Sequence, residues 1–306
     1  MYKVYDYSEW ELYDGFSEGS GRSEKLWLQS ETGEIGLFKF PKIDPVSCTT
    51  TYEHVAEHLA HQIGDIVEIS TARVELGKYN NRIGSMSYLA RAANEELREG
   101  VWFILGKHPN YDPITLKDND SGEYYSIKHI LDIPNSKTIK NFWIRMMVFD
   151  YLIGNRDRHQ NNWAYLIPIE DIHKPTIRIR PCPLYDNGSS LCCYVTDQQI
   201  SQFDGKDPQR FKSLIDSKSR SMIRIDGNSK SLPKHSDVVR HLLRYYPETI
   251  EIAGFFMDRL KPDVINAVVQ QYSDDIVNSH RKDLLVRFIS GKIELLRQIV
   301  LEANND

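Results

Sequence analysis

Basic residues are in the minority in this chain, cysteine is scarce, and no long hydrophobic run occurs. Of 306 residues, 38 are Lys or Arg against 43 Asp or Glu, a formal net charge of −5 with histidine neutral. That balance offers no general attraction for nucleic acid or an anionic membrane, so direct DNA binding by this chain alone is not expected. Cys48, Cys182, Cys192 and Cys193 make neither a paired Cys-x-x-Cys array nor a dense disulfide framework, and they read as reduced structural thiols. No apolar stretch reaches the roughly 20 residues of a membrane-spanning helix. Met1-Tyr2-Lys3-Val4-Tyr5-Asp6 lacks the basic and apolar regions of a secretory signal. A cytoplasmic protein with no membrane partner is the expectation. What is present is ample apolar material, 41% of residues, enough for a chain of this length to bury a large core without a disulfide or metal staple.

The pattern of that material changes along the chain. Lys25 to Leu28 and Ile35 to Phe40 are strand-forming runs around Glu31-Thr32-Gly33-Glu34, which reads as a hairpin turn. Tyr52, Val55, Ala56, Leu59 and Ile63 recur at helical spacing, predicting a helix from about Thr50 to Gln62 that Gly64 closes. Val67 to Leu76 and Arg82 to Leu89 read as two more strands. Asn94 to Gly100 reads as a connector. Phe142, Met146, Phe149 and Ile153 put an apolar face on a helix from about Ser136 to Ile153, ended by Gly154. Trp163 to Ile167 and Thr176 to Arg180 are short extended segments, and Ser217 to Pro233 reads as a mobile polar loop. Helical patterns dominate from Ser236 onward. The fold class is therefore α+β with two lobes, a small mixed lobe over residues 1–90 and a mainly helical lobe over 91–306, with a cleft between them.

The densest polar constellation is Gly154-Asn155-Arg156-Asp157-Arg158-His159-Gln160-Asn161-Asn162-Trp163. An Asp and an Asn five positions apart on a loop can divide two tasks: Asp157 orients or deprotonates a substrate hydroxyl, and the Asn162 amide oxygen binds a nucleotide-associated metal. A second metal carboxylate is available in Pro183-Leu184-Tyr185-Asp186-Asn187-Gly188, so the catalytic segments are 154–163 and 183–188. In the first lobe, Lys39 would reach ATP phosphates from a strand and Glu53 on the following helix would hold its ammonium. The run from Gly15 to Lys25 contains Gly19, Ser20 and Gly21, small enough for close backbone approach to phosphate. It lacks the order of a Walker A loop.

Taken in chain order, these segments resemble the HipA-like serine/threonine kinases, a branch of the protein-kinase-like fold that includes bacterial toxin kinases. The resemblance rests on 154–162, on Pro183 to Asp186, on Ser23-Glu24-Lys25, on Phe38-Lys39 and on Tyr52-Glu53. It implies a two-lobed kinase that uses ATP with Mg²⁺, or Mn²⁺, and phosphorylates serine or threonine in a protein, a translation factor among the candidates. It places the ATP-contacting lysine on Lys39, the helix glutamate on Glu53, the catalytic aspartate on Asp157 and the metal ligands on Asn162 and Asp186. It also implies autophosphorylation in the glycine-rich loop, at Ser17, Ser20 or Ser23, with Ser17 the first choice. Longer members carry an additional N-terminal subdomain. Here the glycine-rich loop begins almost at once, so that subdomain is absent or supplied by another chain, which leaves room for a small regulatory or antitoxin partner. Asp186-Asn187-Gly188 departs from the usual Asp-Phe-Gly, and no Ala-Pro-Glu segment follows at a familiar spacing, which argues against a conventional phosphorylated activation loop.

Three other readings compete. His54-Val55-Ala56-Glu57-His58 matches a His-x-x-Glu-His zinc-hydrolase pattern in which Glu57 would activate water, with His61 adding to the same polar face. The match is isolated, whereas phosphoryl transfer explains several distant segments together. Asp157-Arg158-His159-x-x-Asn162 also resembles the catalytic loop of phosphoinositide kinases. A nucleotide-binding pseudokinase module is the third, opposed by the complete set Lys39, Asp157, Asn162 and Asp186.

Overall fold

Strand alternation decides which side chains of the first lobe face the cleft. In the computed structural model, which describes residues 1–15, 24–45, 48–134, 136–171, 178–203 and 207–305, strands β1 (Val4–Asp6), β2 (Glu11–Leu12), β3 (Lys25–Gln29) and β4 (Ile35–Lys39) precede helix α1 (Glu53–Ile66). Strands β5 (Val74–Tyr79) and β6 (Arg82–Tyr88) follow it. The six strands form one sheet in the order β1-β5-β6-β4-β3-β2, antiparallel except for β1 beside β5. Along β4 the period of two sends Phe38 into a small cluster with Tyr7, Leu28, Phe40 and Met86, and turns Leu37 and Lys39 to the opposite, cleft-facing side. The β3–β4 hairpin turns at Gly33 (φ 84°), as its sequence predicts. Asn80 and Asn81, both with positive φ, make the tight turn between β5 and β6.

Helix α1 begins later and runs further than its periodicity predicts. Gly64 does not stop it. A Cβ at that position would lie 2.7 Å from Thr71 Cγ2, so the glycine permits close packing of the following chain against the helix. Val55, Ala56, Leu59, Ala60 and Ile63 join the main core, which they share with residues of the C-terminal helices such as Phe149, Phe256 and Leu296. By packing, α1 belongs as much to the helical lobe as to the sheet.

The chain then forms β7 (Glu95–Glu99), α2 (Gly100–Lys107), β8 (Tyr111–Asp112), β9 (Lys117–Asp118), α3 (Ile127–Leu131) and α4 (Lys137–Ile153). The segment expected as a connector is thus a strand followed directly by a helix. Strand β7 pairs antiparallel with β10 (Ala164–Pro168), which also pairs with β11 (Arg180–Pro181). Only Leu97 of Glu95-Glu96-Leu97-Arg98-Glu99 packs against an apolar cluster, of Ala164, Leu166 and Cys182, so the hydrophobic signal of this strand is one residue long. The helix expected from about Ser136 to Ile153 meets expectation: α4 ends at Gly154 (φ 68°), whose N–H reaches back to the last carbonyls. Its C-terminal half is buried on every side, from Met146 to Ile153.

Helices α5 (Asp197–Ile200), α6 (Pro208–Ile215), α7 (His235–Tyr245), α8 (Glu248–Arg259), α9 (Pro262–Val269) and α10 (Ser279–Asn305) complete the described chain. Residues 217–233 are irregular, as expected, but they are docked: Ile223, Ser219 and Ser221 are buried, and bridges join Ser126 to Arg224 and Arg220 to Lys234. No helix among the described residues is long and apolar enough to cross a membrane.

Helix α10 carries a buried cation, Lys292, with no exposed surface. Its Nζ donates to Ser219 Oγ (2.7 Å) and lies 4.7 Å from the centre of the Tyr151 ring, with no carboxylate in contact among the described residues. Burial lowers its pKa to about 7. The unfolded chain therefore binds the extra proton between about pH 7 and 10, and linkage makes the protein more stable as pH rises through that window. Lys292→Met should flatten this rise and raise stability most at and below pH 7, as read by urea unfolding across pH.

Candidate active site

Lys39 stands where the two halves of the cleft meet. Its Nζ donates to Asp186 Oδ1 at 2.8 Å and to Glu57 Oε2 at 3.5 Å, which brings together three residues from β4, α1 and the 183–188 segment. Glu57 is buried, and its other oxygen accepts the Asn187 N–H at 2.9 Å. One carboxylate thus fixes both the lysine and the backbone beside Asp186. The expected partner, Glu53, is elsewhere engaged: it accepts from Lys42 Nζ and N–H, from Thr51 Oγ1 and from the Tyr194 hydroxyl. Lys39 reaches one helical turn deeper, so Glu57 takes the place that the sequence reading gave to Glu53. Because α1 starts at Glu53, that residue folds back over the helix entrance.

The catalytic-loop candidates are held by Arg158. Its fully buried guanidinium donates to both oxygens of Asp150 on α4, to the carbonyls of Asn162 and Tyr185, and to Asn187 Oδ1. Residues on both sides of Asp186 are therefore clamped, and Asp186 itself sits in the left-handed region (φ 55°), a conformation that costs strain for a non-glycine residue. Within the loop, Asn155 Oδ1 accepts the Asp157 N–H (3.1 Å), and Asn162 Nδ2 donates to the Asp157 carbonyl (2.7 Å). With its nitrogen so used, the Asn162 amide keeps its oxygen, which has no hydrogen-bond partner among the described residues, as a hard donor. Behind the loop, His235 Nε2 meets the Asn155 carbonyl at 2.8 Å and Nδ1 meets Ser219 Oγ at 3.0 Å. Burial lowers the His235 pKa to about 3, so the ring is neutral; a carbonyl only accepts, so Nε2 carries the proton and Ser219 donates to Nδ1.

Two recesses meet at Lys39 and Asp186. A cavity of about 270 Å³ has apolar walls from Trp27, Leu37, Ala72, Tyr88, Leu97 and Tyr185, with Asn161 and Asn162 at its polar end. A smaller one, about 120 Å³, is lined by Lys42, Glu53, His54, Asp157 and His159. Charge divides the carboxylates. Lys39 holds Asp186 down at about 2, although its side chain is 44% exposed to the cleft. The pKa of Asp157 is raised, first by burial and then by the Asp186 charge, so it is the more basic carboxylate of the pair. The ammonium of Lys39 is pushed above its ordinary value by Asp186 and Glu57, against the opposing effect of burial.

The sequence-derived set therefore divides in three. Lys39, Asp157, Asn162 and Asp186 converge on one cleft; Glu53 lines the smaller recess without touching Lys39; Gly19, Ser20, Gly21, Ser17 and Ser23 lie outside the described residues. The zinc-hydrolase pattern is dispersed. Glu57 serves Lys39, His58 Nδ1 pairs with the Tyr272 hydroxyl (2.7 Å), and no three His, Cys, Asp or Glu side chains converge as a metal site among the described residues. Sequence reasoning missed Glu57, Asp150 and His235. Glu57 had a signal, being one turn from Glu53 on the same helix.

No protein-family model matches the chain. Over 258 residues it is 24% identical to the serine/threonine-protein kinase CtkA of Helicobacter pylori, covering 76% of this chain and 71% of that protein. The crystal structure of a proinflammatory kinase CtkA from H. pylori matches with a TM-score of 0.78 at 18% identity, over 98% of this chain and 99% of that chain. HipA of Shewanella oneidensis MR-1, solved as a toxin–antitoxin complex with HipB and operator DNA, matches with a TM-score of 0.59 at 12% identity, over 96% of this chain and 68% of that one. With its sheet, helical lobe and intervening cleft, the chain is a homologue of the CtkA kinase and carries the two-lobed fold of the HipA-like kinases.

Proposed function

We propose that the protein transfers the γ-phosphoryl group of ATP to a serine or threonine hydroxyl of another protein. The observation that carries this reading is the meeting of Lys39, Glu57 and Asp186, from three distant parts of the chain, at the mouth of an apolar cavity beside Asp157. Homology to a serine/threonine-protein kinase supports it.

The apolar cavity suits a nucleoside base, and Lys39 at its polar end suits the phosphates. Asn162 Oδ1 and the Asp186 carboxylate are hard oxygen donors, a set that fits Mg²⁺ or Mn²⁺ better than zinc. When bound, such a cation supplies positive charge against the phosphate oxygens. Glu57 keeps Lys39 in register while the lysine pairs with phosphate. Asp157 orients the acceptor hydroxyl and accepts its proton as the new P–O bond forms and the bond from the γ-phosphorus to the bridging oxygen of ADP breaks. Lys39 remains protonated throughout the working pH range, since its carboxylate partners raise its pKa.

A small regulatory protein is part of the proposal, by analogy with the HipA fold solved with HipB. So is modification of Ser17, Ser20 or Ser23, where phosphate would add negative charge next to the nucleotide. Intact mass and peptide mapping after incubation with ATP read that modification.

The deciding assay incubates soluble cell proteome and phosphoinositide vesicles, separately, with labelled ATP and either wild-type protein or Asp157→Ala. Protein phosphosites lost by roughly 10²-fold or more in Asp157→Ala support the reading. Label confined to phosphoinositides replaces it with a lipid kinase. Undiminished transfer by folded Asp157→Ala or Asp186→Ala removes the roles given to those residues.

Two finer outcomes separate this site from the one the sequence suggested. Glu57→Gln should lower kcat/KM for ATP by about tenfold or more, the worth of a charge-assisted contact, while Glu53→Gln costs clearly less. The rate should also fall on the acid side, as Asp157 is protonated at a pH above the ordinary carboxylate range, and this limb should be missing from the residual activity of Asp157→Asn.

A further inference from the structure

Glu57 can hold Lys39 only while α1 keeps its rotation and depth, and the contacts that set both come from the helical lobe. Ahead of Glu57, Tyr52 caps the helix, and its backbone N–H donates to the Cys193 carbonyl at 3.0 Å. The Arg281 guanidinium, on the first turn of α10, lies 3.5 Å from the centre of the Tyr52 ring. The Tyr52 hydroxyl donates to Asp197 Oδ2 (3.0 Å), and Arg281 Nη2 donates to the other oxygen of the same carboxylate (2.8 Å). Immediately after Glu57, the His58 ring bonds through Nδ1 to the Tyr272 hydroxyl at 2.7 Å. Tyr2 packs edge-on against both rings, with centroids 4.6 and 4.8 Å away, and its N–H donates to the Gln271 carbonyl.

The His58–Tyr272 contact is buried, and the Arg281 side chain is buried even though its partner Asp197 is open to solvent. Arg281 and Tyr272 are each 1% exposed and His58 is 2% exposed. Arg281 Nη1 has no hydrogen-bond partner among the described residues. Its Nε and Nη2 donate to Asp197 and to the Val195 carbonyl, so the guanidinium is held in one plane. Its geometry fixes the ring of the helix-capping residue.

We propose that Arg281 and Tyr272 are positioning residues that clamp α1 to the helical lobe on either side of Glu57, so that the Lys39–Glu57 contact stands without a phosphorylated activation loop. The consequence for phosphoryl transfer rests on the kinase reading above; the clamp itself is a statement about α1. Arg281 keeps the helix entrance at its depth, and Tyr272 keeps its rotation one residue past Glu57. Burial holds the His58 pKa near 3, so this second contact does not titrate in the working range.

The test uses the full chain with Arg281→Lys, which keeps the charge and loses the planar stack, and Tyr272→Phe, which removes one hydroxyl. Hydrogen exchange reads α1 without requiring turnover. Amides of 53–66 and of Asn187 should exchange faster in both variants while those in the middle of α10 are unchanged. In steady-state assays KM for ATP should rise by roughly fivefold for Arg281→Lys with a smaller change in kcat. Combined with Glu57→Gln, either variant should cost little more than Glu57→Gln alone, because both act through that carboxylate. Unchanged exchange in 53–66, or losses that multiply in full with Glu57→Gln, overturns the proposal. Should wild-type protein transfer no phosphate at all, the kinase reading fails and the exchange result still decides the clamp.

Discussion

A single buried guanidinium joins the parts of this cleft. Arg158 has five N–H donors in a fixed fork, and its contacts engage the Asp150 carboxylate, two carbonyls and the Asn187 amide oxygen. Taking that charge out of water is costly, and the cost is offset only when every donor is met. Asp150 is buried as well and has a further donor in Asn155 Nδ2, so the two charges desolvate as a pair. From this pair the geometry spreads outward. The end of α4, the loop bearing Asp157 and Asn162, and the segment bearing Asp186 are fixed to one rigid fork. A lysine at this position could not reproduce it, having three donors on a point charge.

The same economy of charge governs the mouth of the cleft. Asp157 and Asp186 line one recess, and two ionised carboxylates there would repel. Of these two, Lys39 contacts only Asp186, which stays ionised down to about pH 2, while Asp157, half-buried and with no cation in contact among the described residues, is left the more basic. The two carboxylates are distinguished by their surroundings, and those surroundings suit one to binding a cation and the other to accepting a proton. Glu57 completes the arrangement from the third side, sharing its two oxygens between Lys39 and the Asn187 N–H.

How much of this was legible in the sequence depended on range. Asp157 and Asn162 are five apart on one loop, and their relation is local, so spacing alone revealed it. Lys39 and Asp186 are 147 residues apart and were found through chain order and likeness to a known family. Glu57 was read wrongly because it depends on helix phase: the periodicity of Val55, Ala56 and Leu59 locates the helix, yet a start placed three residues early favours Glu53 as the cleft-facing acid. Strand β7 was hidden because charged residues surround its one inward apolar side chain, and its pairing with β10 lies 65 residues away at Glu99 and Ala164. His235 and Lys292 left no local signal at all, since their relevance comes from packing behind a loop far away in sequence.

The position of α1 shows why a fold can be legible while its site is not. Hydrophobic spacing specifies that α1 has an apolar face, but any surface of matching shape could cover that face. Its polar contacts supply the missing specificity. Tyr52 meets Arg281 and Asp197, Glu53 meets Lys42 and Tyr194, Glu57 meets Lys39 and the Asn187 N–H, and His58 meets Tyr272. Each of these polar residues has a distant partner, and together they admit one rotation and one depth. A rotation of the helix by one residue, about 100°, would break every one of those pairs as well as turn part of the apolar face away from the core. The apolar face thus holds the helix in the protein, and the polar pairs decide which carboxylate faces Lys39.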